Sequence, residues 1–304
     1  MMRYRRSITL LSIGIIILSI LTSLFGLLTR QGPGKHSVPS FRGGDVLIYG
    51  KGIYEADTVS NAVQAIAQDM VTLFLGIPLL LFSLLLFRRG SLRGQFILAG
   101  TLGYFLYTYI SYTFLLNFNH FFLIYVFLMS ISFFAFILAM MSFDIANLEN
   151  HFSKKLPVRW IGGFLIFMGI MVLFMWLGRI GPALIHGTFP EGLEISTTMV
   201  IQALDLGFVV PIAILAGIFA IKKKPIGYLL SSIIIVKLFT LSTAVTFMAI
   251  SMKMSGLEVS LIESLAFSGM TLIVIFFMFL LIINIDENPE PVDFLDESLF
   301  KEGE

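Results

Sequence analysis

Eight long apolar segments follow one another along the chain, separated by stretches that hold most of its charged residues. Each is close to the 20 residues that a helix needs to cross about 30 Å of hydrocarbon with every backbone group bonded internally. The pattern predicts an all-α integral membrane protein, a bundle of about eight transmembrane helices. The predicted spans are residues 8–28, 70–87, 95–116, 119–142, 160–178, 199–221, 227–251 and 261–284.

The first apolar segment is too long for a cleaved secretion signal. It runs from Ile8 to Leu28, whereas a signal core has about 7 to 15 apolar residues and a small-residue cleavage site. We therefore interpret it as an uncleaved first span. No internal repeat with a clear register is visible in the sequence, so the sequence gives no support to an inverted-repeat transporter.

The lysines and arginines predict that both termini lie in the cytoplasm, because cytoplasmic loops carry the excess of these residues. With the N-terminus inside, thirteen of the twenty fall in inner segments, six in outer segments and Lys237 inside a span. Two short basic hairpins, residues 88–93 and 222–225, carry most weight, since such loops resist translocation. We expect the protein in the cell membrane.

Two regions lie outside the spans of the predicted membrane domain, residues 1–284. Residues 29–69 form an extracytoplasmic loop, in which residues 46–49 and 53–54 read as a hairpin around glycines and a helix starts at Asp57 or Ser60. Residues 285–304 form an acidic cytoplasmic tail whose composition is typical of disorder, or of a docking segment for a cytoplasmic protein.

Composition excludes several classes of function. The chain is 57% hydrophobic and 13% charged with a formal net charge of +1, so it has no basic field for nucleic acid. It has no cysteine, which excludes disulfides, thiolate metal sites and cysteine nucleophiles. Its four histidines are scattered over different loops, so we expect neither a metal site nor any other cofactor.

Three ionisable residues fall within predicted spans, where each costs at least about 2.5 to 3.5 kcal/mol on insertion scales and usually marks function. They are Asp205, Lys237 and Glu263. The helical rise places Asp205 about 10 Å from the outer surface and allows an ion pair with Lys237. Such a pair either fixes two helices or belongs to a ligand-binding or ion-coupling site, and the sequence leaves both interpretations open.

Further polar residues cluster in the outer halves of the spans. One helical face of the third span carries Tyr104, Tyr107, Thr108, Ser111 and Tyr112. This stripe should face inward, either to line a cavity or to pack against other helices. Together with Asp69, His120 and Gln202 it predicts a cavity open to the outside. Pro78 and Pro211 predict kinks in their spans, and the threonines after Lys237 are expected to bond their own backbone.

Three stretches resemble those of uncharacterised prokaryotic multi-pass membrane proteins, namely residues 69–73 (DMVTL), 89–94 (RGSLRG) and 203–207 (ALDLG). The resemblance implies a membrane protein and no particular activity. Our leading hypothesis is a transporter or permease-like protein that binds a small polar solute or ion. The alternatives are a membrane sensor, assembly or immunity factor that acts through its outer loop and acidic tail, and a membrane-embedded enzyme.

Overall fold

Each of the eight apolar segments forms a helix in the computed structural model, which describes residues 4–288. The observed bounds differ from the predicted ones by a few residues at most ends, and by eleven at the start of the second helix and eight at the end of the fifth. The helices are α1 (Arg5–Leu28), α2 (Val59–Arg88), α3 (Leu92–Leu115), α4 (Phe122–Met141), α5 (Val158–His186), α6 (Val200–Ile221), α7 (Pro225–Met254) and α8 (Leu261–Ile283).

Seven of these helices, within the part of the chain that is described, are long and apolar enough to cross a membrane. The exception is α3, which has 24 residues and is rich in tyrosine, threonine and glycine. Helix α3 lies at the centre of the bundle, packed against α2, α4 and α7, and most of its side chains are buried. Because protein surrounds it, α3 can carry polar side chains that a lipid-facing helix could not. The structure is thus an all-α bundle suited to a membrane, and the count of eight crossings stays a prediction.

The loops between helices gather at two opposite ends of the bundle. The end that we call the hairpin end carries residues 29–58. There Arg42 donates to the carbonyl oxygens of Glu194 and Ser196 at 2.7 and 2.6 Å, and Lys35 donates to Ser255. The opposite end, which we call the basic end, carries the hairpins at 88–93 and 222–225. Consecutive helices that run in opposite directions place their connecting loops at two ends of a bundle in this way.

The outer segment does contain a hairpin, but the predicted position was wrong. Strand β1 (His36–Pro39) pairs antiparallel with β2 (Asp45–Ile48). The turn therefore falls at 40–44, where Gly43 and Gly44 have φ values of +89° and +77°, a region that glycine adopts without strain. Residues 52–54, predicted as the second strand, form a 3₁₀ turn instead.

The tail begins differently from the prediction. Ser91 Oγ and the backbone N–H groups of Leu92 and Arg93 donate to the Glu287 carboxylate at 2.7 to 3.1 Å. Since free N–H groups and a positive dipole end mark a helix N-terminus, a carboxylate is stabilised there. Ile285 also forms a β-bridge with Phe152. The segment up to Glu287 is therefore held against the basic end, and the rest of the predicted disordered tail, 289–304, lies outside the described residues.

Both predicted proline kinks take the form of a π-helical turn. Thr72–Gly76 in α2 and Asp205–Val209 in α6 are π-helical, and each segment is followed two residues later by a proline, Pro78 or Pro211. Proline lacks an N–H and its ring clashes with the carbonyl group four residues before it. A wider turn relieves that clash, and such turns occur frequently at functional sites.

These two π-helical turns are part of a structural repeat that the sequence did not reveal. The second turn and its proline lie 133 positions after the first. Helices α3 and α7 begin at Leu92 and Pro225, with the same separation. The positive-φ residues of the hairpins before these helices, Gly90 at +90° and Lys223 at +53°, are also 133 positions apart. The helix pair α2–α3 and the helix pair α6–α7 therefore repeat one arrangement. We call α1–α4 and α5–α8 the first and second halves.

The halves meet where α7 packs against α2 and α3. A Cβ atom at Gly100 would lie 2.5 Å from Cβ of Val236 and 2.9 Å from the carbonyl oxygen of Ile233. Close approach of two helix backbones at a glycine is a general feature of membrane helix packing, since dispersion contacts drive association there. Gly100 therefore allows α3 and α7 to approach each other closely at this crossing.

Replacing Gly100 by alanine should lower the thermal stability of the purified protein. The added methyl group overpacks the α3–α7 crossing, which typically costs about 1–3 kcal/mol. The matched control is Gly163→Ala in α5, where a Cβ meets nothing within 4 Å. Thermal unfolding of both variants in the same detergent checks the prediction, and equal stability would contradict it.

Candidate functional site

The carboxylate of Asp205 is the hydrogen-bond acceptor around which α3, α5 and α6 meet. Asp205 is the first residue of the π-helical turn in α6 and is buried. The Tyr107 hydroxyl of α3 donates to its Oδ1 at 2.8 Å, and Trp176 Nε1 of α5 donates to its Oδ2 at 2.9 Å. Each carboxylate oxygen thus has a neutral donor.

The ammonium group of Lys237 lies beside this carboxylate without bonding to it. Lys237 in α7 is 7% exposed, and its Nζ has no hydrogen-bond partner within residues 4–288. The nitrogen lies 4.2 Å from the centroid of the Tyr107 ring, a cation–π contact. The direct ion pair with Asp205 that the helical rise allows is not formed, because Asp205 is bonded to Tyr107 and Trp176. The one ion pair among the described residues is Arg93–Glu287.

Asp205, Lys237, Tyr107 and Trp176 together form what we call the lysine site. Tyr107 connects its two charged groups: the hydroxyl bonds the anion, while the ring faces the cation. The pair of charges is held apart by one aromatic residue in a low-dielectric interior, where each charge influences the other strongly. The site therefore holds a carboxylate that is fully paired and an ammonium group with three donors free.

The polar stripe of α3 faces inward, as predicted, and bonds to α2. Gln68 Nε2 donates to the Tyr104 hydroxyl at 2.8 Å and to Thr108 Oγ1 at 2.9 Å. Thr72 Oγ1 lies 2.8 Å from the same tyrosine oxygen. Ser111 bonds the Tyr107 carbonyl of its own helix. In the structure this part of the stripe packs against α2. The cavity open to the outside stays a prediction.

A second buried carboxylate, Asp69 of α2, lies toward the hairpin end. Its Oδ2 accepts a hydrogen bond from the Tyr54 hydroxyl at 2.5 Å. Its Oδ1 lies 3.0 Å from the Tyr112 hydroxyl, whose one proton is shared with the Ala65 carbonyl oxygen at 2.9 Å. Gly26 of α1 lies so close that a Cβ there would fall well inside van der Waals contact with Oδ2. We call Asp69, Tyr54 and Tyr112 the aspartate site.

Three further predicted site residues belong neither to these two sites nor to the stripe of α3. Glu263 is exposed and accepts from the backbone N–H of Ser260 at 2.9 Å in a capping box at the start of α8, which explains a carboxylate at that position. His120 is exposed in the α3–α4 turn. Gln202 lies half-buried, one helical turn before Asp205.

The threonines of α7 behave as the sequence predicted. Thr240 donates to the Lys237 carbonyl at 2.9 Å, Thr243 to Phe239 at 2.8 Å and Thr246 to Ser242 at 2.9 Å. Each hydroxyl is thus committed to the backbone of its own helix.

Sequence reasoning missed two donors, Trp176 and Tyr54. A tryptophan inside an apolar span carries an N–H that needs an acceptor, and this was the available signal for Trp176. Tyr54 could be placed only by knowing where the outer segment folds. A second available signal was the spacing of small residues on α1, where Ser19, Ser23 and Gly26 are buried at intervals of four and three.

The outer segment is held to the bundle at Asp57. Its Oδ1 accepts from the backbone N–H of Asn117 at 2.7 Å, and the side chain is 1% exposed. Burial raises the pKa of Asp57 to about 7, although the hydrogen bonds from Asn117 oppose that shift. The folded protein therefore holds a proton on Asp57 at pH values where the unfolded chain has lost it.

The stability contributed at Asp57 should be complete below about pH 4 and fall as pH rises toward about 7. Because the folded state binds the extra proton in this window, the loss approaches about 1.4 kcal/mol per pH unit. Asp57→Asn should remove that part of the pH dependence. Thermal unfolding between pH 4 and 8 measures it, with Asp45→Asn, an exposed aspartate of the same segment, as control. Parallel pH profiles for the parent and Asp57→Asn would contradict the prediction.

No family model, curated protein or solved structure matches this chain. The chemistry of the lysine and aspartate sites is therefore what bears on function.

Proposed function

We propose that this chain is a transporter or permease-like protein of the cell membrane that binds a small polar solute or ion at the lysine site. In this proposal all eight helices cross the bilayer and both termini are cytoplasmic. The hairpin end then faces outward, and the lysine and aspartate sites open toward it.

The observation that carries the proposal is the buried ammonium group of Lys237. Its nitrogen has no acceptor in the described chain, while both oxygens of the neighbouring Asp205 are already paired. An unsatisfied charged donor in a membrane helix is costly. A solute that brings an acceptor, such as a carboxylate or phosphate oxygen, would remove that cost on binding.

The surrounding helices support a site that changes shape. Asp205 opens a π-helical turn, and its counterpart in the first half is another π-helical turn beginning at Thr72. Transporters built from two parallel repeats bind substrate where the repeats meet. The lysine site fits that description, because Tyr107 comes from the first half and the other three residues come from the second.

Ligand-induced stabilisation of the purified protein in lipid nanodiscs tests the proposal. The probes are phosphate, acetate and glutamate as anions, with glucose as a neutral probe. A ligand at one hundred times its dissociation constant should stabilise the fold by about 2.7 kcal/mol. Lys237→Met should abolish the shift, and Asp205→Asn should abolish or greatly weaken it. Lys253→Met, at the exposed end of the same helix, should leave the shift unchanged.

Two outcomes would count against this proposal. One is a ligand shift that survives in both Lys237→Met and Asp205→Asn. The other is a stability pattern in which each single change destabilises the protein and the double change restores it, because that coupling identifies a structural pair. Uptake into liposomes of the probe that stabilises the parent then separates transport from binding.

A second candidate function is a membrane sensor or assembly factor, and the outer hairpin favours it. The hairpin is fixed to the bundle by Arg42, and it presents Phe41, which is 71% exposed. An ordered loop with an exposed aromatic side chain is suited to contact another protein.

Truncation after Asn288 separates the two candidates, because it removes the acidic tail and leaves the Glu287 contacts in place. A transporter should keep at least half of its uptake rate, since the lysine site is intact. A sensor that signals through the tail should lose its response while folding normally. Loss of uptake in a stable truncated protein would contradict the transporter assignment.

A further inference from the structure

The aspartate site holds a buried carboxyl group with no cation beside it. Asp69 is 1% exposed, and the ion pair Arg93–Glu287 is the one formed within residues 4–288. The groups that bond Asp69 are two tyrosine hydroxyls, Tyr54 and Tyr112. These are neutral donors, so they stabilise a negative charge without cancelling it.

All elements packed around Asp69 present neutral groups. Helix α1 contributes Ser19, Ser23 and Gly26, the outer segment contributes Tyr54, α3 contributes Tyr109 and Tyr112, and α4 contributes Tyr125. The next carboxyl group toward the hairpin end, Asp57, bonds Asn117 instead. A charged Asp69 would therefore be an isolated anion inside the bundle.

Isolated buried anions are expensive, and a carboxyl group in such surroundings takes up a proton. A protonated carboxyl group has one O–H donor, which needs an acceptor. Ser23 Oγ is fully buried, faces Asp69, and completes no hydrogen bond within the described chain. The Ser23 hydroxyl is therefore placed to accept from the Asp69 carboxyl group once a small adjustment brings the two into range.

We propose that Asp69 is a proton-binding site, whose carboxyl group carries a proton in this closed arrangement and is covered from the hairpin end by Tyr54. The proton is taken from and returned to the solution at that end when Tyr54 moves away. The proposal does not depend on the lysine site, which uses other residues.

A proton fits the site better than a sodium ion. Tyr54 and Tyr112 bond the two carboxylate oxygens directly, at 2.5 and 3.0 Å, so their hydroxyl groups occupy the positions nearest the charge. On the side of α1, Gly26 lies in close contact with Oδ2 and Tyr54. A metal ion would need several oxygen ligands around itself, whereas a proton needs only one acceptor.

Infrared spectroscopy of the full chain in nanodiscs tests the proposal. With aspartate labelled with carbon-13, a protonated Asp69 should give an isotope-shifted carboxylic acid band at neutral pH. Asp69→Asn should remove that band, and Asp45→Asn should leave it unchanged because Asp45 is exposed. Tyr112→Phe should shift the band, since it removes one hydrogen bond to the group. That variant assigns the band even if Asp69→Asn fails to fold.

A second measurement compares the unfolding equilibrium of the parent protein with that of Asp69→Asn. Above about pH 4 an unfolded aspartate has lost its proton. The parent should therefore lose about tenfold in its folding equilibrium constant per pH unit relative to the variant, up to the pH at which the band disappears. Asp57 is present in both proteins, so its contribution cancels.

Two results would overturn the proposal. The first is the absence of a carboxylic acid band that depends on Asp69 or Tyr112. The second is stabilisation of the parent by sodium chloride but not by choline chloride, lost in Asp69→Asn, which would assign the site to sodium. Neither result bears on ligand binding at Lys237, so failure here is distinguishable from failure of the proposed function.

Discussion

The structure depends on one constraint, that polar side chains inside an apolar bundle must find their partners within the protein. Helix α3 is where this constraint is concentrated. Its stripe supplies hydroxyl groups to Gln68, Asp69 and Asp205 on two different helices. A helix with so many polar side chains is stable at the centre because its neighbours supply complementary groups. The apolar helices around it expose leucine and phenylalanine side chains, which is the surface that helices facing lipid present.

The two halves show how one arrangement can hold two different chemistries. With the separation of 133 residues, Thr72 corresponds to Asp205 and Tyr104 corresponds to Lys237. In the first half the two side chains form a neutral hydrogen bond of 2.8 Å. In the second half the same positions carry a carboxylate and an ammonium group. At these two positions the first half is satisfied by hydroxyl groups, whereas the second half carries charges and leaves the Lys237 ammonium group without a partner among the described residues.

The sequence predicted the helices well because about 20 apolar residues in a row have few alternatives to a helix in a membrane. It also predicted that the stripe from Tyr104 to Tyr112 faces inward, since helical periodicity alone determines a shared face. It failed where partners come from distant segments. The depths of Asp205 and Lys237 along their helices allowed a contact between them. Depth does not say how each helix is rotated about its axis, and in the structure Tyr107 and Trp176 bond the carboxylate instead. The repeat escaped notice because the halves share backbone geometry more than residue identity.

Tyr107 links the two halves at the lysine site. It belongs to the first half, yet its hydroxyl bonds Asp205 and its ring covers the Lys237 ammonium group, both in the second half. The halves also pack closely at Gly100, where an added Cβ atom would overlap Val236. A rocking motion about that contact would preserve the crossing and change the distance between α3 and α6. The Tyr107 hydrogen bond would then break as the ring leaves Lys237, so exposing the ammonium group and separating the halves would be one event.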